Sequence, residues 1–121
     1  MQRELAAAEV VQTMASPNAR PGIALIGCGG MGQGDAENAA RFGDIVAVCD
    51  VDQRHANAAA QRLTKDGKTP VKYGNFRKLM ERDDVHVIVQ ATPDHWHTLI
   101  NIAAARAKKK CLWRKAADAH D

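Results

Sequence analysis

The sequence predicts an α/β fold in which helices cover both faces of a parallel sheet. Short apolar runs alternate with stretches of helical spacing between residues 23 and 113, and this alternation is typical of parallel sheets. With 121 residues the chain forms one domain at most. Apolar residues make up 45% of it and aromatic residues only 4%, which favours tight packing of helices on a sheet.

The elements follow in order from the apolar runs and the turn residues between them. We expect strands at residues 23–26, 45–49, 71–73, 85–89 and 111–113, and helices at residues 4–14, 31–42, 53–65, 76–82 and 96–107. Gly43 is expected to stop the helix at 31–42, and Asn75 to cap the helix at 76–82. Right-handed crossovers then give the strand order 3-2-1-4-5, with a ligand crevice at the carboxyl ends of strands one and four.

Helical spacing also predicts which side chains face the sheet. In the helix at 76–82 these are Phe76, Leu79 and Met80, and in the helix at 96–107 they are Leu99, Ile102 and Ala103.

The turn after the first strand carries the most specific motif of the chain. It has the G-x-G-x-x-G pattern between a strand and a helix, and reads Gly27, Cys28, Gly29, Gly30, Met31, Gly32. Gly27 permits the tight turn, Gly29 lets a pyrophosphate approach the backbone, and Gly32 lets the helix pack on the strand. The helix N-terminus offers free N–H groups to the phosphates. The motif therefore predicts a Rossmann-type, doubly wound sheet.

Asp50 ends the second strand, about 20 residues beyond the glycines. At this position a carboxylate accepts hydrogen bonds from the adenosine ribose. Asp50 would repel the 2′-phosphate of NADP, whereas Arg54 lies close enough to receive it. The pattern thus predicts a bound dinucleotide, and for a nicotinamide dinucleotide it leaves NAD and NADP as alternatives.

Composition argues against several other classes of protein. The net charge is only +3, and the basic residues near the C-terminus resemble a solvated helix end, so we expect no nucleic acid partner. No apolar run reaches membrane-spanning length. Three cysteines without a C-x-x-C pair favour a reducing compartment and a cytoplasmic location over a disulfide framework. Asp94, His95 and His97 are too few and too splayed for a metal site, and we expect none.

The loop after the fourth strand reads Ala91-Thr92-Pro93-Asp94-His95-Trp96-His97. Together with the glycine motif and the strand ending in Asp50, it resembles the Gfo/Idh/MocA oxidoreductase family over roughly residues 21–107. The resemblance implies an N-terminal domain that binds NAD or NADP, followed by a larger α/β domain that binds a sugar-like substrate. It also implies that Thr92 and Pro93 pass beside the nicotinamide ribose, and that His95 and His97 lie near the cofactor cleft.

The chain departs from the family near its C-terminus. The family continues into a Glu-Lys-Pro motif with a catalytic lysine, and Lys115 matches this lysine by position only, because Arg114 and Ala116 replace its neighbours. The residues that would form the substrate domain are missing from the sequence. A one-base shift of a back-translated reading frame restores Glu-Lys-Pro, so we interpret the tail as the product of a frameshift; a truncated gene with a divergent tail is the alternative.

We therefore expect an N-terminal arm at residues 1–20 that is partly helical or disordered, a dinucleotide-binding domain at 21–113 and a divergent tail at 114–121. The expected function is the cofactor-binding part of an oxidoreductase that is catalytically incomplete in this form. Its partner would be a nicotinamide dinucleotide, together with a separately encoded substrate domain or a second copy of the chain. A stand-alone interaction module and a non-functional gene remnant are the alternatives.

Overall fold

The computed structural model describes residues 7–14, 19–92 and 94–113, with the side chains of Ala7, Asp94 and His95 excepted. Five strands and five helices occur in these segments. In chain order they are α1 (Ala7–Met14), β1 (Gly22–Ile26), α2 (Gly30–Ala39), β2 (Asp44–Cys49), α3 (Gln53–Arg62), β3 (Val71–Tyr73), α4 (Phe76–Leu79), β4 (Val87–Gln90), α5 (Asp94–Arg106) and β5 (Lys110–Trp113).

The strands form one parallel sheet in the order β3-β2-β1-β4-β5, which confirms the predicted order. Ile26 pairs with Cys49 on one side and with Gln90 on the other. The carboxyl ends of the three central strands therefore stop at the same level. The loops that follow these strands meet above the middle of the sheet, where the crevice was predicted.

Alternate residues of the strands pack into two apolar cores, one on each face of the sheet. Leu25 and Val48 belong to one core, together with Val11 of α1, whereas Ala24 and Ile88 belong to the other. Because both faces are buried, the strands read as continuous apolar runs. The α/β class is thereby confirmed.

Helix α1 packs against α2, and Val11 is fully buried in the same core as the residues of β1. This segment of the N-terminal arm therefore contributes to the packing of the domain. None of the helices in the described part of the chain combines the length and the apolar character needed to cross a bilayer.

The predicted inner face of α5 was wrong for two of its three residues. Leu99 and Ile102 are 48% and 45% exposed, and Ile100 and Ala104 are buried instead; Ala103 does pack against the core. The helix carries apolar residues around much of its circumference, so spacing alone does not fix its rotation. Contacts with the sheet select Ile100 and Ala104, which lie one turn apart. The inner face of α4 was predicted correctly, because Phe76, Leu79 and Met80 are all buried.

Several element ends were also placed wrongly. Helix α2 ends at Ala39, before the turn that leads to Gly43, so Gly43 does not stop it. A Cβ on Gly43 would lie 2.7 Å from the Ile23 side chain, so close packing is the reason for a glycine there. Helices α3 and α4 end at Arg62 and Leu79, each three residues early. Strand β4 runs from Val87 to Gln90, later than predicted.

Candidate functional site

A cavity of about 380 Å³ opens at the carboxyl ends of β1, β2 and β4. The segments after these strands contribute Gly27, Gly29, Asp50, Val51, Ala91 and Thr92 to its wall, and the helices contribute His55, Phe76, Trp96 and Ile100. A cavity of about 480 Å³ lies by the opposite ends of β2 and β3, and none of the predicted site residues lines it. The predicted site residues that line a cavity, Gly27, Gly29, Asp50 and Thr92, thus all line the smaller one.

Two of the three motif glycines are required by the protein itself. Gly27 has a φ of +88°, and a Cβ there would lie 2.5 Å from the carbonyl oxygen of Ala91. A Cβ on Gly32 would collide with the carbonyl oxygen of Gly27. The first glycine thus permits the turn, and the last lets α2 approach it.

Gly29 is different, because its missing side chain leaves open space. An ideal Cβ on Gly29 or on its neighbour Gly30 would meet no protein atom within 4 Å. Gly29 is the N-cap of α2 and supplies no side-chain cap. The first N–H groups of this helix are therefore left without a capping side chain, below an open surface.

The Asp50 carboxylate is fixed by the backbone. Its Oδ2 accepts a hydrogen bond from the N–H of Cys28 at 2.8 Å, and its Oδ1 accepts one from the N–H of Asp52 at 2.8 Å. The side chain is only 13% exposed. Each oxygen keeps a second acceptor position, so the carboxylate can still receive a ligand hydroxyl from the cavity.

Cys28 is a buried residue of the glycine loop, and its thiol donates to the carbonyl of Cys49 at 3.3 Å. Burial raises the pKa of Cys28 to about 12, and the nearby charge of Asp50 acts in the same direction. Burial likewise raises the pKa of Cys49 to about 11. These thiols are protonated at neutral pH, so the loop uses Cys28 as a small packing residue.

Arg54 is already engaged by a carboxylate. Its guanidinium donates to both oxygens of Asp52, at 3.2 and 3.1 Å, and Asp52 also caps α3 by accepting the N–H of Arg54. Hydrogen bonds from the Arg54 side chain and backbone lower the pKa of Asp52 to about 2. The guanidinium that the sequence offered to a 2′-phosphate is thus paired with Asp52, although it is 89% exposed.

Thr92 belongs to a buried polar chain beside the cavity. Its hydroxyl donates to Oε1 of the fully buried Gln90, and Nε2 of Gln90 donates to the sulfur of Cys111. The carbonyl of Thr92 accepts the indole N–H of Trp113 at 3.2 Å. The end of β5 is thus tied to the loop that forms the cavity wall.

The remaining predicted site residues either do not line the cavity or lie outside the part of the chain that the structure describes. His97 stacks on Trp113 at 3.8 Å between ring centroids, and its Nδ1 is buried without a hydrogen-bond partner. Met31 and Arg54 are absent from the cavity wall. Pro93, the His95 side chain and Lys115 lie outside the described residues.

The sequence prediction missed three side chains that the fold brings to the cavity. His55, Phe76 and Trp96 were not among the predicted site residues, and all three line the cavity wall. Of these three residues, only His55 could have been assigned to the site from the sequence. It lies in the first turn of the helix that follows the acidic end of a strand, and this turn faces the crevice. Among the described residues, no group of three or more acidic, cysteine or histidine side chains is placed to hold a metal ion.

Residues 22–115 match the model of the oxidoreductase family with an NAD-binding Rossmann fold, the GFO_IDH_MocA family. The match covers most of the chain and includes the glycine loop, Asp50 and the loop after β4. The chain belongs to this family. The resemblance that the sequence motifs indicated is thereby confirmed.

Curated relatives from this family match only a part of their own length. A glycosyl hydrolase family 109 protein of Solibacter usitatus is 34% identical over 102 residues, which are 77% of this chain and 23% of the relative. A glycosyl hydrolase family 109 protein of Saccharopolyspora erythraea is 41% identical over 70 residues, 54% of this chain and 15% of the relative. The chain spans less than a quarter of the length of these two relatives.

Solved structures of the family share the fold. An NAD binding oxidoreductase from Klebsiella pneumoniae is 33% identical with a TM-score of 0.63, over 77% of this chain and 26% of that one. GenD2 from gentamicin A biosynthesis, in complex with NAD, is 27% identical with a TM-score of 0.70, over 82% and 28%. Levoglucosan dehydrogenase with NADH and L-sorbose is 28% identical with a TM-score of 0.63, over 75% and 26%. The fold of this chain is thus that of the NAD-binding Rossmann domain of the Gfo/Idh/MocA oxidoreductases.

Proposed function

We propose that the cleft binds NAD, and that the chain is the dinucleotide-binding part of an oxidoreductase acting on a sugar or polyol derivative. The observation that carries the proposal is the uncapped N-terminus of α2 beneath the open space at Gly29 and Gly30. Free N–H groups and the positive end of the helix dipole fit a pyrophosphate at this place. The backbones of Cys28 and Met31 belong to the same anion-binding turn, while Gly27 and Gly32 maintain its shape.

The part of the cleft that we assign to the adenosine ribose favours NAD over NADP. Asp50 has acceptor capacity left for the ribose hydroxyls, and its charge opposes a 2′-phosphate. Arg54 is held by Asp52, so a 2′-phosphate would have to compete with that carboxylate for it. We therefore assign NAD as the preferred dinucleotide.

The nicotinamide end is assigned to the loop after β4. Thr92 and Trp96 line this side of the cavity, and the hydrogen bonds of Thr92 to Gln90 and Trp113 fix the loop. We propose that Pro93 and His95 also take part in binding the cofactor. His97, stacked on Trp113, supports it from behind instead of contacting the cofactor.

Bound NAD would supply the hydride acceptor for oxidation of an alcohol. The residues of this chain bind the dinucleotide and orient it; a substrate must then be held against the nicotinamide. The solved relatives are roughly three times as long as this chain, and we propose that a region beyond residue 113 supplies the substrate site. Lys115 is the proposed catalytic lysine only if it is followed by such a region.

Cleavage of a glycoside is the second candidate activity, because the curated relatives are named glycosyl hydrolase family 109 proteins. Some glycosidases depend on NAD, so the same cofactor cleft serves either reaction. A protein that contains the substrate region would separate the two. Net formation of NADH from a polyol supports the oxidoreductase, and release of an aglycone without net NADH supports the glycosidase.

Thermal unfolding of the purified chain with NAD, NADP, ADP-ribose or nicotinamide mononucleotide tests the binding proposal. A ligand that binds only the folded state stabilises it by about 2.7 kcal/mol at a hundred times its Kd. We expect NAD and ADP-ribose to raise the Tm, and nicotinamide mononucleotide to raise it less, because it lacks the adenosine ribose that Asp50 would bind. A cooperative transition that millimolar NAD does not move would refute the proposal.

A further inference from the structure

One histidine stands beside the two carboxylates at the end of β2. Nδ1 of His55 lies 3.6 Å from Oδ2 of Asp50, and its Nε2 lies 4.0 Å from Oδ2 of Asp52. The imidazole lines the cavity and remains 55% exposed. It therefore faces the place where the proposed function puts the adenosine ribose.

The other charged side chains near His55 have hydrogen-bond or ion-pair partners among the described residues. Arg54 pairs with Asp52, and on α2 Glu37 pairs with Arg62. Lys72 of β3 donates to Asn57 of α3. Asp50 receives only backbone N–H groups besides His55.

The opposite wall of the cavity comes from Gly74 and Phe76, which carry no charge. Among the described residues that line the cavity, no permanently cationic side chain compensates the charge of the Asp50 carboxylate. His55 is the group whose protonation would compensate it.

We propose that His55 determines how strongly the cleft discriminates NAD from NADP, and that its protonation weakens the discrimination. The inference rests on the proposed function, since it assumes that the ribose lies against Asp50. A neutral imidazole leaves the carboxylate charge facing the 2′ position, where it repels the phosphate of NADP. An imidazolium cancels that charge and offers a charged N–H donor to the phosphate. NAD carries a neutral hydroxyl at the 2′ position and responds little to this change.

The experiment measures Kd for NAD and NADP by isothermal titration calorimetry from pH 8 to pH 5.5, on the wild-type chain and on His55→Gln and His55→Lys. In the wild type we expect the ratio of Kd for NADP to Kd for NAD to fall about five- to tenfold on acidification. His55→Lys, which carries a permanent cation, is expected to show the low ratio at every pH.

His55→Gln is the control for the ionisation of the phosphate, which itself titrates near pH 6. Any change of the Kd ratio with pH that remains in His55→Gln arises from the ligand. The contribution of His55 is therefore the change seen in the wild type minus the change seen in this variant. The side chain is more than half exposed, and circular dichroism checks that both variants fold.

The same pH dependence in wild type and His55→Gln, with NAD bound by both, would overturn the role of His55 and leave the proposed function standing. A folded wild-type chain that binds neither dinucleotide at any pH would overturn the proposed function, and the role of His55 with it.

Discussion

The backbone N–H of Cys28 donates a 2.8 Å hydrogen bond to Oδ2 of Asp50. This bond joins the glycine loop after β1 to the carboxylate after β2, two segments that would contact opposite ends of the ADP half of a dinucleotide. The neighbouring N–H of Gly27 donates to the carbonyl of Cys49 at 2.9 Å. The two sides of the cleft are therefore held in register before any ligand arrives, which lowers the entropic cost of binding.

Gly29→Val is expected to abolish NAD binding without unfolding the chain. The valine side chain would occupy the open space above the N-terminus of α2, and no protein atom lies within 4 Å of its Cβ position. The matched control is Gly34→Val, since Gly34 lies in the same helix and also has nothing within 4 Å. Calorimetric titration should show binding in the control alone. Binding of NAD by a folded Gly29→Val variant would disprove the assignment of the loop.

Gly27→Ala is expected to act on folding. Its φ of +88° is strained for alanine, and the new Cβ would lie 2.5 Å from the carbonyl oxygen of Ala91. We expect a loss of about 2 kcal/mol or more in the free energy of unfolding, measured by urea denaturation. A variant as stable as the wild type would show that the turn can adopt another conformation.

Asp50→Ala is expected to weaken NAD more than NADP. The change removes the ribose acceptor, at about 1–3 kcal/mol, and also the repulsion of a 2′-phosphate. It leaves the N–H groups of Cys28 and Asp52 without their partner, so the Tm should fall as well. Asp50→Asn keeps an acceptor oxygen and controls for that loss. Equal weakening of both dinucleotides by Asp50→Ala would remove Asp50 as the discriminating residue.

The cysteines of the folded chain should react slowly with Ellman's reagent at neutral pH, whereas all three should react at once in denaturant. Burial raises the pKa of Cys28 to about 12 and that of Cys49 to about 11, and it also raises the pKa of Cys111. Thiolate is the reactive form, so the folded thiols are unreactive. Rapid labelling of native protein at Cys28, located by mass spectrometry, would contradict this.

The same pKa values give the sign of the stability change in alkali. Thiols of the unfolded chain release protons near pH 9, whereas Cys28 in the folded chain keeps its proton until about pH 12. The folded state therefore binds more protons in this window, and stability falls as the pH rises through it. Cys28→Ser should reduce that fall, which denaturant titrations at pH 8 and pH 10 would measure.

The 121-residue chain is expected to bind NAD and to show no turnover with sugars or polyols, measured by the absorbance of NADH. The reason is that hydride transfer requires a substrate held against the nicotinamide, and the described residues form only the cofactor cleft. A chain extended through a Glu-Lys-Pro segment into a second domain is the matched positive control. Turnover by the short chain alone would refute this expectation.

The sequence determined the class of the fold, the strand order and the place of the cleft. Local patterns suffice for these, because apolar runs mark buried strands and the glycine motif marks the turn after β1, while the handedness of crossovers fixes the order. The cap of α4 by Asn75 was predicted in the same way, since capping involves residues close in sequence. The family followed from three short motifs.

Only the tertiary structure showed which contacts each motif glycine avoids, and which face of α5 is buried. Whether a Cβ is tolerated at Gly27 depends on Ala91, far along the chain, and the burial of Ile100 over Leu99 depends on the sheet beneath it. The approach of His55 to Asp50 likewise depends on the angle at which α3 leaves β2. These features arise from contacts whose geometry no local spacing contains, because the packing of the sheet and helices sets it.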